Sequence, residues 1–334
     1  MVLSKEELLN IIHTLSSHHE IIAPVEEENG LYFRSVESPK QIVWEFANTV
    51  NNIKDFFFPP RQELYELKND EIKSYESNTS ALGDPESGIN RIILFSRACD
   101  AQALTLMDRL FIGEYEDPLY KQLRENTAII GLSCLEPDKR CFCLSLGGGP
   151  FHTEGMDASI TPLGKSLYTI QLITEKARRL FPDSILAVGG QITAEDKERL
   201  KELKNAAESV IKRQINIPEN MVGSFDSEYW QYVSQSCINC GICSYLCPTC
   251  HCFDIVNEGY LRVRCWDTCS SNTFTRMAAG EDHRREKYKR YRQRVFHKFD
   301  YYKDNFDAVA CVGCGRCTTH CPVKIDIVEV VNNL

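Results

Sequence analysis

The chain has 334 residues, 43% hydrophobic and 25% charged, with a formal net charge of −9. That composition fits a globular protein of about two domains and excludes a mainly disordered or collagen-like chain. No apolar run approaches the ~20 residues that cross a bilayer, so no membrane is expected as a partner.

Ser4-Lys5-Glu6-Glu7 fits a capping box and predicts a helix to about His19. A basic segment followed by an apolar one is not seen at this end, so a secretory signal is not expected and the chain is expected in the cytoplasm. Residues 31–50 alternate poorly and predict a strand followed by irregular structure. Phe56-Phe57-Phe58-Pro59-Pro60 is an apolar run expected in the core, ahead of a predicted helix at Arg61–Leu67. Ser77–Gly88 is a loop by composition. Arg91–Ser96 (RIILFS), Ala128–Ser133 (AIIGLS) and Ser184–Val188 (SILAV) are buried-strand runs, and Ala101–Phe111 has helical apolar spacing. Strands alternating with helices predict an α/β domain with a mixed or partly parallel sheet. Gly147-Gly148-Gly149-Pro150 reads as a turn, and Thr193 opens a long polar helix through about Gln214. The pattern changes near Pro218, which places a boundary near residue 222.

Sixteen cysteines are too many for a reducing compartment unless they bind metal, react or sit inert in the core. Twelve lie between Cys237 and Cys321, and eight of these form one pattern twice. Cys237, Cys240, Cys243 and Cys247-Pro248 are spaced C-x2-C-x2-C-x3-C-P; Cys311, Cys314, Cys317 and Cys321-Pro322 repeat it. This is the run of bacterial two-cluster ferredoxins, in which the fourth cysteine ligates the other cluster. Two 4Fe-4S clusters are therefore expected, one on Cys237, Cys240, Cys243 and Cys321, the other on Cys311, Cys314, Cys317 and Cys247. Gly241, Gly313 and Gly315 are expected where backbone approaches inorganic sulfide. A zinc site is the competing reading, but zinc favours two C-x2-C pairs further apart. Residues 248–310, between the runs, are far longer than the connection in a compact ferredoxin and are expected to leave and return as helices. The chain thus divides into an α/β domain over 1–222 and a mainly α-helical ferredoxin-type dicluster domain over 223–334.

Cys99 follows the first strand run and Cys134 the second; Cys141 and Cys143 sit in the next loop. Carboxyl ends of neighbouring parallel strands lie together where ligands commonly bind. Four thiols at one sheet edge suit a third 4Fe-4S cluster, the alternative being that two of them are core thiols. Cys250, Cys252, Cys265 and Cys269 match no known run and are expected to pack beside the first two clusters. Arg276–Lys303 holds ten Lys or Arg against four acids, with Tyr288, Tyr291, Phe296 and Phe299 interleaved. A zinc-binding nucleic-acid module could look like this locally, but the overall acidity opposes phosphate binding. Cations beside anionic clusters, raising their potential, are the preferred reading. His13, His18 and His19 are expected at the surface; Trp230 and Tyr232 are expected to pack the helix before Cys237. His251 could hydrogen-bond a cluster.

The segments CPTCHCFDIV, WDTC, FTRMAAG, RYRQRVFHKF and CVGCGRC…CPVKIDI, with RACDAQAL, C-x6-C-F-C and FFFPPRQEL upstream, occur in order. Together they resemble the iron–sulfur electron-transfer subunit of anaerobic sulfite reductase, with the beta subunits of cytoplasmic sulfhydrogenases as near relatives in pattern. The resemblance implies a relay that passes electrons from a flavin- and NADH-binding subunit to a siroheme subunit, which reduces sulfite to sulfide. It also implies that Cys99, Cys134, Cys141 and Cys143 are cluster ligands. The alternative it leaves is the iron–sulfur beta subunit of a hydrogenase. No G-x-G-x-x-G opens a helix after a strand, and no P-loop, H-E-x-x-H or G-x-S-x-G occurs, so no catalytic residue is expected in the chain.

Overall fold

The computed structural model describes residues 1–68, 71–74, 88–181 and 189–334. The predicted strand at Ser184–Val188, and all of the Ser77–Gly88 loop but its last residue, lie outside these. Among the described residues the strands are β1 (Val2–Ser4), β2 (Glu20–Glu27), β3 (Gly30–Ser35), β4 (Arg61–Lys68), β5 (Glu71–Ser74), β6 (Arg91–Ser96), β7 (Thr127–Leu132), β8 (Ala158–Pro162), β9 (Leu167–Leu172), β10 (Phe253–Glu258) and β11 (Leu261–Trp266).

The first sheet has the order β1-β9-β8-β7-β6-β2-β3. Its centre is parallel, through the pairs β2·β6, β6·β7 and β7·β8, and its edges are antiparallel. A sheet covered on both faces needs apolar residues at consecutive positions, which is what RIILFS and AIIGLS supply. Ile92, Leu94, Ala128 and Ile130 enter one core; Ile93 and Ile129 enter the other. Helix α1 (Lys5–Ser16) covers the first face with Leu8, Ile11, Ile12 and Leu15. Helices α2 (Ala98–Phe111) and α3 (Pro118–Glu125) cover the second, together with Phe57 and Phe58 of the apolar run.

The capping box forms as predicted: the Glu7 N–H donates to Ser4 Oγ at 3.2 Å and the Ser4 N–H to Glu7 Oε2 at 2.6 Å. Helix α1 stops at Ser16, three residues short of the expected end. Ser17, His18 and His19 bring no apolar side chain to its buried face, and the Ser16 hydroxyl donates to the His13 carbonyl. His13 and His18 are exposed as expected, while His19 is half-buried with Nδ1 2.8 Å from the Ile89 carbonyl.

The helix expected at Arg61–Leu67 is strand β4 instead. Leu64 and Leu67 have helical spacing, but β4 pairs antiparallel with β11 on one side and β5 on the other. This tertiary pairing outweighs the local spacing. The result is a second sheet, β10-β11-β4-β5, built from both halves of the chain. The long insertion therefore differs from the all-helical expectation. It contains the β10–β11 hairpin and then a helical rod, α-helical over Lys287–Phe296, π-helical over His297–Tyr301 and α-helical again over Tyr302–Phe306. Trp230 is fully buried against Phe296, but Tyr232, expected to pack, is exposed.

The duplicated cysteine runs are duplicated in shape. Each ends in a four-residue helix, Ile242–Tyr245 and Arg316–Thr319, preceded by a left-handed glycine, Gly241 (φ 74°) and Gly315 (φ 75°). Asn239 (φ 56°) and Gly313 (φ 66°) match in the same way. Among the described residues no helix is long and apolar enough to cross a membrane.

Candidate metal centres

Cys237, Cys240 and Cys243 of the first run line one cavity together with Cys321 of the second; Cys317, Tyr291, Arg294 and Pro322 complete its wall. Backbone amides already point at sulfur here: the Asn239 N–H lies 3.4 Å from Cys237 Sγ and the Ile325 N–H 3.3 Å from Cys321 Sγ. Cys240 is exposed, so this cavity opens at the surface.

Cys247, the last cysteine of the first run, sits instead with Cys311, Cys314 and Cys317, each of which feels its charge. Lys298 Nζ is buried here and donates to Cys247 Sγ at 3.2 Å, Thr249 Oγ1 at 3.0 Å and the Ala310 carbonyl at 2.9 Å. Burial pushes the Cys311 thiol up to about 11 and raises Cys314 and Cys317 as well. Contact with Cys250 and the Lys298 ammonium hold Cys247 well below the usual thiol range.

Cys99, Cys134, Cys141 and Cys143 line a third cavity, walled also by Arg97, Pro137, Gly149, Pro150 and Cys314. Cys99 lies in the first turn of α2, and Cys134 two residues past β7. The turn between β6 and α2 is shaped by Phe95, a non-glycine residue at φ 65° where the β6–β7 register shifts. That bulge puts Leu94 and Phe95 into the same core and redirects the chain toward Cys99. The Gly-Gly-Gly-Pro turn contributes to the cavity wall, and the Pro150 carbonyl accepts from Cys134 N–H at 3.0 Å.

The three sites are contiguous. Cys317 belongs to the second group and lines the first cavity; Cys314 belongs to the second group and lines the third. The glycines of the second run make that contact possible. A Cβ on Gly313 would lie 2.5 Å from Cys143 N and 2.6 Å from Phe142 C, and one on Gly315 would lie 2.9 Å from the Arg140 carbonyl oxygen. Gly241 is crowded by Tyr245 and Thr268. These glycines thus admit neighbouring protein.

Burying a cation is costly unless an anion or hydrogen bonds compensate it. Arg294 is buried, and the groups that favour its charge are Cys243, Cys250, Cys247 and Cys317. For Lys298 they are Cys247, Cys250 and Cys311; for Arg97, Cys134 and Cys99 ahead of Asp100. Arg97 also donates to the Leu132, Ser133 and Phe46 carbonyls and lies over the Phe46 ring. Arg316 pairs with the fully buried Asp100 at 2.5 and 2.8 Å, tying the second run to the helix that carries Cys99. Cysteines match such cations only as thiolates, the form that metal coordination enforces. The donor set and its electrostatics therefore fit anionic, thiolate-ligated clusters. Among the described residues, no three His, Cys, Asp or Glu side chains are gathered as one metal ion would require.

Arg97, Arg316 and Asp100 were not singled out from the sequence, although Arg97 and Asp100 flank Cys99 within Arg-Ala-Cys-Asp. Arg290, Arg294 and Lys298 recur every four residues in the basic stretch and are buried together. His251 Nδ1 lies 3.1 Å from the Thr249 carbonyl, and the ring packs edge-on against Phe111 and His297 instead of reaching a cluster thiol. Of the remaining cysteines, Cys250, Cys252 and Cys269 lie beside the first run, whereas Cys265 is on β11 opposite Asp254.

Residues 236–325 match the family described as a 4Fe-4S dicluster domain. Over 99% of its length the chain is 27% identical to sulfhydrogenase 2 subunit beta of Pyrococcus furiosus, covering 97% of that protein. No solved structure gives a significant match. The chain is therefore a distant, full-length relative of a sulfhydrogenase beta subunit with a dicluster domain near its C-terminus, which supports an iron–sulfur electron-transfer subunit.

Proposed function

We propose that the chain is an electron-relay subunit carrying three 4Fe-4S clusters. The ligand sets are Cys237, Cys240, Cys243 and Cys321; Cys311, Cys314, Cys317 and Cys247; and Cys99, Cys134, Cys141 and Cys143. The observation that carries this reading is the contiguity of the three cysteine groups through Cys317 and Cys314. A bound cluster supplies one-electron exchange. The chain's own residues do the rest. The α/β part over 1–222 presents the third set at the carboxyl ends of β6 and β7, and the part over 223–334 holds the paired runs. Arg97, Arg294 and Lys298 place positive charge beside thiolates, and the apolar walls keep water from the inner sulfurs.

The complex it serves is read in two ways. The full-length relative favours a sulfhydrogenase-type assembly. The ordered motifs favour a cytoplasmic sulfite reductase, with a flavin- and NADH-binding subunit upstream and a siroheme subunit downstream. Purification of the native complex separates them: nickel in the co-purifying subunits supports the first and siroheme the second. Iron and acid-labile sulfide on anaerobically purified chain test the relay itself, and about twelve of each per chain is expected for three cubanes. About eight would remove the third site, and zinc without iron would overturn the reading.

A further inference from the structure

The cysteines outside the three proposed ligand sets are not scattered. Cys252, at the start of the β10–β11 hairpin, and Cys269, three residues past its end, lie close enough for each sulfur to act electrostatically on the other. The β10–β11 hairpin holds them there: Phe253 pairs with Trp266, and the Asp267 N–H donates to the Cys252 carbonyl at 3.0 Å. Cys269 sits two residues further on, in a loop clamped to the first cysteine run. Thr268 Oγ1 donates to Ser244 Oγ at 3.0 Å, and the Ser270 N–H to Thr268 Oγ1 at 3.1 Å. Cys269 Sγ is itself 3.9 Å from Ser244 Oγ, on the residue that follows Cys243. The pair is thus one residue removed from a proposed cluster ligand, and Cys252 is half-exposed whereas Cys269 is buried.

We infer that Cys252 and Cys269 are a redox-active dithiol–disulfide pair that exchanges two electrons with the clusters of the same chain. This rests on the iron–sulfur reading above. Oxidation breaks the two S–H bonds and forms one S–S bond. The two protons leave to water on the Cys252 side, and the two electrons pass singly to the clusters; reduction reverses each change. The frame suits this, because both sulfurs hang from a hydrogen-bonded hairpin and a clamped loop that keep them adjacent in either state. The nearby Arg294 guanidinium favours a thiolate at Cys269, the form that attacks in thiol–disulfide exchange. Such a site would let one-electron carriers serve a two-electron reaction.

The test uses anaerobically purified full-length protein equilibrated in buffers of oxidised and reduced dithiothreitol, acid-quenched, alkylated and peptide-mapped, with iron and sulfide counted on the same samples. A Cys252–Cys269 linked peptide is expected, appearing with a two-electron slope at unchanged iron. In reductive titration, wild type is expected to take up two more electrons per chain than Cys252→Ser or Cys269→Ser, with equal cluster EPR intensity in all three. Cys252→Ser alters the half-exposed member and is informative even if Cys269→Ser fails to fold. Full iron with both thiols alkylated in every buffer, or equal electron uptake by wild type and Cys252→Ser, would overturn this inference and leave the cluster reading standing. Protein without iron would sink both.

Discussion

Lys298→Met gives the sharpest test of how this protein sets the properties of its central site. The ammonium is buried, donates to Cys247 Sγ at 3.2 Å, and lies in the π-helical turn His297–Tyr301. Burial alone would lower its pKa, but the charges at Cys247 and Cys250 override this and keep it protonated. Reduction would add one negative charge to a cluster that Cys247 would help to hold. For a charge roughly 5–6 Å from the ammonium at an effective dielectric of about 20, the ammonium would favour it by about 3 kcal/mol. For one electron this corresponds to about 130 mV, and relaxation of the surrounding dipoles reduces it. Lys298→Met should therefore lower the midpoint potential of one cluster by about 50–130 mV. Lys298→Arg should restore most of the shift, and Met at the exposed Lys303 should cause none. The assay is an EPR-monitored redox titration under argon, with iron counted on each variant because Thr249 and Ala310 also lose a donor. A fully loaded Lys298→Met protein whose potentials all lie within about 20 mV of wild type would refute the charge argument.

Two further outcomes follow from the same geometry. Gly313→Ala puts a Cβ against the Phe142–Cys143 backbone in a left-handed conformation, so it should cost more than about 2 kcal/mol and release the third cluster, dropping iron from about twelve to about eight per chain. Asn239→Gly, at the matching position of the first run, should change neither iron content nor thermal unfolding, and an unaltered Gly313→Ala would disprove the packing role. Burial, and then the neighbouring His297, depress His251 to about 3. The unfolded chain takes up this proton near pH 6.5 and the folded one does not, so the stability is full above that pH and is lost as pH falls toward 3, at up to about 1.4 kcal/mol per unit. Thermal unfolding between pH 7 and 4 should flatten in His251→Phe by about one proton, and an identical slope would contradict the burial argument.

The strands that carry the sheet were legible because a parallel sheet buried on both faces demands continuous apolar runs, and RIILFS and AIIGLS can hardly be read otherwise. The Arg61–Lys68 segment was not, because one of its two strand partners lies almost two hundred residues away at Leu261–Cys265 and local spacing cannot report it. The β10–β11 hairpin is local, but its strands are largely polar and only Val263 is an apolar side chain fully buried in them, so no apolar alternation announced it. The placement of Cys321 beside the first run and of Cys247 beside the second follows the crossed arrangement that the duplicated spacing implies. What surrounds them was not legible. Arg316 meets Asp100, and Arg97 meets the Leu132 and Ser133 carbonyls, only once the two halves are packed together. Lys298 had a signal, a cation every four residues from Arg290, but seven other Lys and Arg in the same stretch obscured which faced inward.

The placement of these cations bears on the direction of electron flow through the proposed relay. The second run lies between the other two sites, so any electron crossing the chain from one end to the other passes it. Lys298 touches that site alone, and Arg294 stands between it and the first, favoured by Cys243 on one side and by Cys247 and Cys317 on the other. The third site has Arg97, but Arg316 beside it is already matched by Asp100 and adds little net charge there. Buried positive charge is thus concentrated at the middle, where it would raise the potential of a cluster held there. In the proposed relay, an electron entering at either end would then run downhill to the centre and need an acceptor on the far side to draw it out. The exposed Cys240 marks one end where such exchange with a partner can occur.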